Sequence, residues 1–433
     1  MNSNFIPEKE HMGPPKVLLT NTDRWPGPSR LAITLVKEGF QVSAFCPVPG
    51  HPFSKTRCIR EVLEYNGFRP LSSLEAAIQT VRPDFVIPCD DLAVNQLQEL
   101  FVRAAAKSDS YLTDLIRRSL GNPELASAFG RFEILTLANE EGIRVPECAA
   151  IRSRRDLQAF GDRVGFPIVI KADGTWGGRG VRIAQSAREA DQAWTELSEV
   201  PSPLKATKRL LLERDRFWLR SWYKRTRPQI TAQSYIVGRP ANCAVFCWQG
   251  EVLAGIAVEV VSTQELTGPA VVVRVVDSKP MLDAARRIAR RLGMSGFFGL
   301  DFMIDEFDAA YLIEMNPRST PLCHLQLGQG RDLVRALRAK MTSQKFESAP
   351  AITGNDLIAY FPRAQQTGSK FLAASYHDVP EGEPELTHEL LHPWSGRSWL
   401  GRLVDLARPS IRKAQNPTQS CIFEAAVADR TTS

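Results

Sequence analysis

GFPIVIKADGTWGGRGVRIA, from Gly165 to Ala184, holds a β-branched run ending at Lys171, then glycines at 174, 177, 178 and 180, then a second alternating run from Val181 to Ala184. It reads as a strand, a glycine loop and a returning strand. Without Cβ atoms, Gly174, Gly177, Gly178 and Gly180 let the main chain approach an anion closely, so bare N–H groups can face phosphate oxygens. Lys171, at the mouth of the loop, adds a point charge suited to the same oxygens. A surface hairpin with a flexible tip is the plainer alternative. Neither GxxxxGK[ST] nor GxGxxG occurs in the chain, and both would need a helix after the glycines.

The chain around this stretch has 433 residues, 43% of them hydrophobic and 24% charged, as expected for an ordinary globular protein of about three domains or subdomains. Its first residues, MNSNFIPEKEHMGPPK, carry acids and no apolar run, so neither a signal peptide nor a spanning segment is expected and a cytoplasmic location is. Eight cysteines include no CxxC, and reduced, mostly buried thiols are expected rather than a metal centre. The formal net charge of +6 is local in origin. From Lys205 to Arg227, nine Lys and Arg stand against Glu213 and Asp215, a balance of +7 that leaves the remainder at −1. Aromatic residues interleave with these charges, a pattern compatible with nucleic acid or an anionic membrane surface; a solvated helix docked on its own domain is the favoured reading.

Before the glycine loop, strands alternate with helices. Residues 16–22, 41–46 and 84–91 read as strands, while 29–38, 73–83 and 92–105 read as helices, which implies a parallel sheet. Asn21, Thr22, Cys89, Asp90 and Asp91 then fall at carboxyl ends of strands, where ligands collect in such sheets. Helix capping by the same Asx residues is the equal alternative. After the basic segment the chain turns strand-rich, with QSYIVG (233–238), 242–249, 251–262 and 270–277, then the amphipathic helix MLDAARRIARRLG.

A second constellation is GLDFMIDEFDAAYLIEMNPRS, from Gly299 to Ser319. LDFMI and YLIEM read as strands joined by a turn, and pairing about a centre between Phe307 and Asp308 sets Asp301 opposite Glu314, with Asn316 on the same face. Two like charges facing each other across strands are unfavourable unless a cation lies between them. Asp, Glu and Asn oxygens are hard ligands of the kind Mg2+ takes alongside phosphate and water. Arg318 follows at the edge of that candidate metal site.

Taken together, the lysine strand with its glycine loop, the QSYIVG segment, and Asp followed by Glu-x-Asn-Pro-Arg on a hairpin resemble the ATP-grasp superfamily, chiefly carboxylate-amine ligases and the ATP-grasp halves of carbamoyl-phosphate synthetase large subunits. The resemblance covers roughly 121–338. It implies a mixed fold, α/β and α+β: a parallel-sheet pre-ATP-grasp domain over 1–120, then an ATP-grasp domain over 121–340. Within the latter, 121–200 would be the small subdomain and 201–340 the large one, with 341–433 as a C-terminal extension. It further implies ATP contacts at Arg131, Lys171, the glycine loop, Gln233, Ser234 and Ile236, and metal ligands Asp301, Glu314 and Asn316. Arg318 and Arg274 would act on the transferred phosphoryl or acyl group. The cofactors implied are ATP and Mg2+, two ions, with Mn2+ able to substitute.

The activity implied is ADP-forming ligation of a small-molecule carboxylate to an amine through an acyl phosphate. Alternatives are a catalytically silent nucleotide-binding protein of the same fold, or an ATP-dependent enzyme acting on nucleic acid; nucleic acid is disfavoured as a partner, and a homodimer stays open. Two departures stand out. Pro240 occupies the place where many members carry an acidic ribose contact, with Asn242 as the nearest substitute, and the first metal ligand, a Gln in some carbamoyl-phosphate synthetase sites, is an acid here, which suits the ligase reading.

Overall fold

The computed structural model describes residues 13–48, 50–123, 130–173, 180–198, 228–264, 268–345 and 349–393. The first unit is built on β1 (Lys16–Thr20), β2 (Gln41–Cys46), β3 (Glu61–Glu64) and β4 (Phe85–Pro88), all parallel in the order β3-β2-β1-β4. α1 (Pro28–Lys37), α2 (Pro70–Val81), α3 (Asp91–Ala106) and α4 (Ser110–Leu120) cover both faces, so the central strands are apolar on both sides. Leu18, Phe45 and Val86 pack under α2, α3 and α4, whereas Val17, Leu19 and Phe85 face α1 and the large sheet described below. The parallel sheet expected from the alternation is present. Strand β3 was not legible, because EVLE is exposed at both ends and carries little apolar signal.

The second unit opens with α5 (Arg131–Glu140) and holds β5 (Cys148–Ile151), α6 (Arg154–Val164), β6 (Ile168–Ala172), β7 (Val181–Ala184), α7 (Ala187–Ser198) and β8 (Ile230–Ser234). The four strands form an antiparallel sheet in the order β5-β8-β6-β7. Helix α6 starts in a reciprocal cap: Ser153 Oγ accepts from the Asp156 N–H, and the Asp156 carboxylate accepts from the Ser153 N–H. Ile168, Ile170, Ala232, Phe160 and Leu197 form a small core of this unit's own.

The large sheet contains β9 (Arg239–Trp248), β10 (Glu251–Thr263), β11 (Ala270–Val276), β12 (Gly296–Ile304), β13 (Ala310–Asn316), β14 (Leu357–Tyr360) and β15 (Tyr376–Asp378), in the order β13-β12-β9-β10-β11-β14-β15. One face packs on α5 and on α8 (Lys279–Leu292); the other shares a core with the first unit and α9 (Leu333–Met341). Residues 357–378 thus add two strands to this sheet, followed by α10 (Arg363–Gln366) within that span and α11 (Pro384–Leu391) beyond it.

QSYIVG departs from its expected extent. The strand is Ile230–Ser234, and Tyr235 and Val237 leave it exposed. Apolar alternation there serves an open surface rather than a sheet face. The chain re-enters a sheet at Arg239, after Gly238 passes so close to β12 that a Cβ would lie 2.1 Å from the Ile304 carbonyl oxygen.

Candidate functional site

The Asp301–Glu314 pairing stands as the arithmetic placed it: Gly299 pairs with Asn316, Leu300 with Met315 and Asp301 with Glu314. The register then shifts by one, Phe302 pairing with Leu312, so Ile313 is an extra residue in the ladder. A bulged residue has a carbonyl the ladder does not use. Ile313 O accepts from Lys171 Nζ at 3.1 Å and from Gln233 Nε2 at 3.4 Å. Lys171 comes from β6 and Gln233 from β8, the two central strands of the small sheet, so the bulge joins the small sheet to the edge of the large one.

Around the pair, Asn242 on β9 donates to Asp301 Oδ1 at 2.6 Å and Asn316 donates to Oδ2 at 3.1 Å. Burial pushes the Asp301 carboxyl up to about 6, and the facing Glu314 charge adds to the rise against the two amide hydrogen bonds. Arg131, at the first turn of α5, donates to Glu314 Oε1 at 2.9 Å and to Ala172 O at 3.2 Å, with Asp173 3.8 Å away. Lys171 is 4% exposed, and burial lowers its pKa although Glu314, Asp301 and Asp173 oppose that. Arg318 donates to Asn316 Oδ1 and, through Nε, to Asp91 Oδ1, both at 3.0 Å. The hairpin is thereby tied to the carboxyl end of β4.

Among the expected site residues, Arg131, Lys171, Gln233, Asp301, Glu314, Asn316 and Arg318 therefore converge, and Ser234 ends the β8 strand beside them. Ile236 lies past that strand in the partly exposed connection. Gly180 precedes β7, while Gly174, Gly177 and Gly178, and the basic segment 205–227, lie outside the described residues. Arg274 is not brought to the hairpin. Asp301, Asn242, Val258 and Val275 form one row across β12, β9, β10 and β11. Arg274 is one residue off that row and three strands away, about 14 Å, so alternation sends it from the opposite face. It pairs with Asp356 at 3.4 Å. Asn242, the substitute considered for ribose, is committed to Asp301 instead.

The N-terminal Asx residues divide as well. Asp90 caps α3, accepting from the Ala93 N–H at 2.8 Å and from Thr22, while Asp91 carries Arg318. Of the cysteines, 46, 89, 243, 247 and 323 are buried, with burial raising their thiol pKa values, Cys46 to about 12 and Cys323 to about 11. They are poor nucleophiles. No group of three or more His, Cys, Asp or Glu suited to a metal occurs among the described residues. Asp301, Glu314 and Asn316, two carboxylates and a carboxamide, are nevertheless hard oxygen donors of the kind that suit a magnesium ion sharing its remaining positions with phosphate and water.

The model of the carbamoyl-phosphate synthase L chain ATP-binding domain matches residues 131–324, the span that carries Arg131, Lys171 and the carboxylate hairpin. Over that span the chain matches an ATP-grasp domain. Similar curated proteins include the carbamoyl phosphate synthase large chain of Rubrobacter xylanophilus, 27% identical over 245 residues that make up 56% of this chain and 21% of that one. A formate-dependent phosphoribosylglycinamide formyltransferase of Corynebacterium efficiens is 23% identical over 72% of this chain and 73% of its own. The chain thus spans about a fifth of the length of the Rubrobacter protein. Among solved structures, the ATP-grasp fold is shared with the biotin carboxylase domain of Hydrogenobacter thermophilus 2-oxoglutarate carboxylase, crystallised with MgADP and bicarbonate (TM-score 0.56, 15% identity, 79% of this chain and 72% of that one). It is shared also with N5-carboxyaminoimidazole synthetase of Staphylococcus aureus (TM-score 0.54, 11% identity, 78% and 80%). No helix among the described residues is long and apolar enough to cross a membrane.

Proposed function

We propose that the protein is a Mg-ATP-dependent ligase that activates a small carboxylate as an acyl phosphate and joins it to an amine or similar nucleophile, releasing ADP. One observation carries the reading: two cations of the small-sheet unit, Arg131 and Lys171, reach the same hairpin edge that displays Asp301 and Glu314. Opposed carboxylates beside buried cations form a site for a polyphosphate with its metal, since phosphate oxygens can take over Arg131 and Lys171 while a metal ion takes over the carboxylates. Asp301, Glu314 and Asn316 would hold Mg2+, which supplies charge neutralisation on the phosphate oxygens.

Lys171 is held by the Ile313 carbonyl, a neutral acceptor that leaves its charge available to an incoming phosphate. Arg131 spans Glu314 and the end of β6, and so can follow the nucleotide when the two sheets close. Exposed Tyr235 and Val237 offer an apolar strip to the base, next to Gln233 and Ser234. Arg318 would steady the transferred group at the boundary with the first unit, and no protein nucleophile is required because phosphoryl transfer depends mainly on positioning and positive charge. The neighbours' fold and the match over 131–324 support the same reading.

A screen for ADP release from Mg-ATP against pools of carboxylic acids and amines tests it. Asp301→Asn should lower turnover by at least a hundredfold, roughly 3 kcal/mol, while leaving the fold intact. With 18O-labelled carboxylate, label should appear in inorganic phosphate. Label in AMP, or pyrophosphate among the products, would falsify the acyl-phosphate course.

A further inference from the structure

The sequence HELLH, from His388 to His392, forms the end of α11, with His392 at the C-cap. On a helix this spacing sets two histidines one turn apart on the same face. The last turn is hydrogen-bonded between the same two residues: the His392 N–H donates to the His388 carbonyl oxygen at 2.8 Å, so the backbone fixes their separation. Pro393 follows, and the helix goes no further.

The helix has an inner and an outer side. Leu386 and Leu390 are buried with Phe361, and Ile33 of α1 packs against them. The same helix lies on the turn Pro52–Lys55 of the first unit, and the Glu383 carboxylate before it accepts from the Arg57 N–H at 3.0 Å. Glu389 belongs to the inner side, 9% exposed. His388 and His392 are exposed on the outer side and take no part in that core. In zinc hydrolases with this motif the Glu is the general base beside the metal. With Glu389 turned inward, the motif here does not build a peptidase.

The two rings are nevertheless placed as metal ligands are. An imidazole nitrogen about 2.0 Å from a metal puts the ring centre about 3.2 Å away, so two rings have centres about 5.2 Å apart at a tetrahedral angle and about 4.5 Å apart at a right angle. The centres of the His388 and His392 rings are 5.0 Å apart. Imidazole suits Zn2+, Cu2+ and Ni2+, whereas Mg2+ takes oxygen ligands. Among the described residues no third His, Cys, Asp or Glu joins the pair, which leaves the other positions of an ion to water.

We propose that His388 and His392 form a two-histidine site for a divalent transition-metal ion, separate from the carboxylate hairpin, and that the bound ion fastens the last turn of α11. The pair keeps its spacing only while that turn is folded, so metal binding and helix formation stabilise each other. Because α11 seats the segment after β14 on the first unit, the ion secures that contact as well.

The test uses the full chain, stripped of metal by a chelator, returned to chelator-free buffer and titrated in excess Mg2+. Ni2+ and Zn2+ should each bind saturably, and one equivalent of Cu2+ should give an electron paramagnetic resonance spectrum split by two imidazole nitrogens. His388→Ala and His392→Ala replace exposed residues by a better helix former, so both should fold. Each should weaken Ni2+ binding at least tenfold and leave splitting from a single nitrogen. Asp301→Asn should bind Ni2+ as wild type does, which separates this site from the hairpin. Zn2+ should slow deuterium exchange of the His392 amide in wild type and in neither histidine variant. Equal Ni2+ binding in wild type and both histidine variants, loss of binding in Asp301→Asn instead, a Cu2+ spectrum without nitrogen splitting, or unchanged exchange at His392 overturns the proposal.

Discussion

Asp173 illustrates how single side chains carry the cost of the site. It follows β6 beside Arg131, yet burial pushes its carboxyl up to about 6, with Glu133 and Glu314 adding to the rise and Arg131 opposing it. An ordinary Asp titrates near 4, so between about pH 4 and 6 the folded chain binds a proton that the unfolded chain has lost. Stability then falls as pH rises through that window, and above it the ionised carboxylate costs on the order of 2 kcal/mol. Asp173→Asn should flatten that slope and raise the urea midpoint of the nucleotide-free protein above pH 6. The quantity to measure is the difference between wild type and variant at pH 4, 5, 6 and 7, because Asp301 adds a slope of the same sign to both. A difference that stays constant with pH would show that Asp173 does not titrate as placed.

At the scale of elements, the hairpin and the lysine strand were legible because their signals are local. Apolar alternation, turn residues and charges at fixed spacing give the Asp301–Glu314 register without reference to the remainder of the chain. The bulge at Ile313 was not legible, since it is recognised only through Lys171 and Gln233, which arrive from another sheet. Arg274 misled for a related reason: charge on a strand near the hairpin in sequence says nothing about which face it leaves until strand order is known. Tyr235 and Val237 imitated a strand by alternation while facing open space. The signal for the true boundary was Gly238, whose missing Cβ lets β9 begin against β12. Gly238→Ala would put a methyl 2.1 Å from Ile304 O and 2.7 Å from its carbon, both backbone atoms that cannot swing aside. A loss on the order of 2–4 kcal/mol is expected, read as a lower urea midpoint with unchanged m-value. Wild-type stability in that variant would show that the β8–β9 connection is loose.

Across the whole molecule the cores are unequal, and this decides what can move. The first unit and the large sheet share one apolar core, in which Val17, Leu19 and Phe85 meet Phe246, Ile256 and Phe297. That continuity favours a single cooperative unit. The small sheet itself keeps a separate core and meets the hairpin chiefly through polar links: Arg131 to Glu314, Lys171 and Gln233 to Ile313 O, and the Leu312 N–H to Arg144 O at 2.9 Å, whereas α5, which precedes it, packs Ile134, Leu135 and Ala138 into the core of the large sheet. Polar links between units contribute less than shared apolar burial and are readily exchanged for water or a ligand. Amides of β6 and β8 should therefore exchange with solvent deuterium through openings of lower free energy than those of β1, β9 and β12. Mg-ADP bound between the sheets would stabilise the closed arrangement, by about 2.7 kcal/mol at a hundredfold excess over its dissociation constant. The protection gained should appear in β6, β8 and β13 and be nearly absent from β2 and β3, which lie on the far side of the first sheet. Uniform protection across all three sheets would mean that the small sheet is not an independently opening unit, and the two-core description would fail.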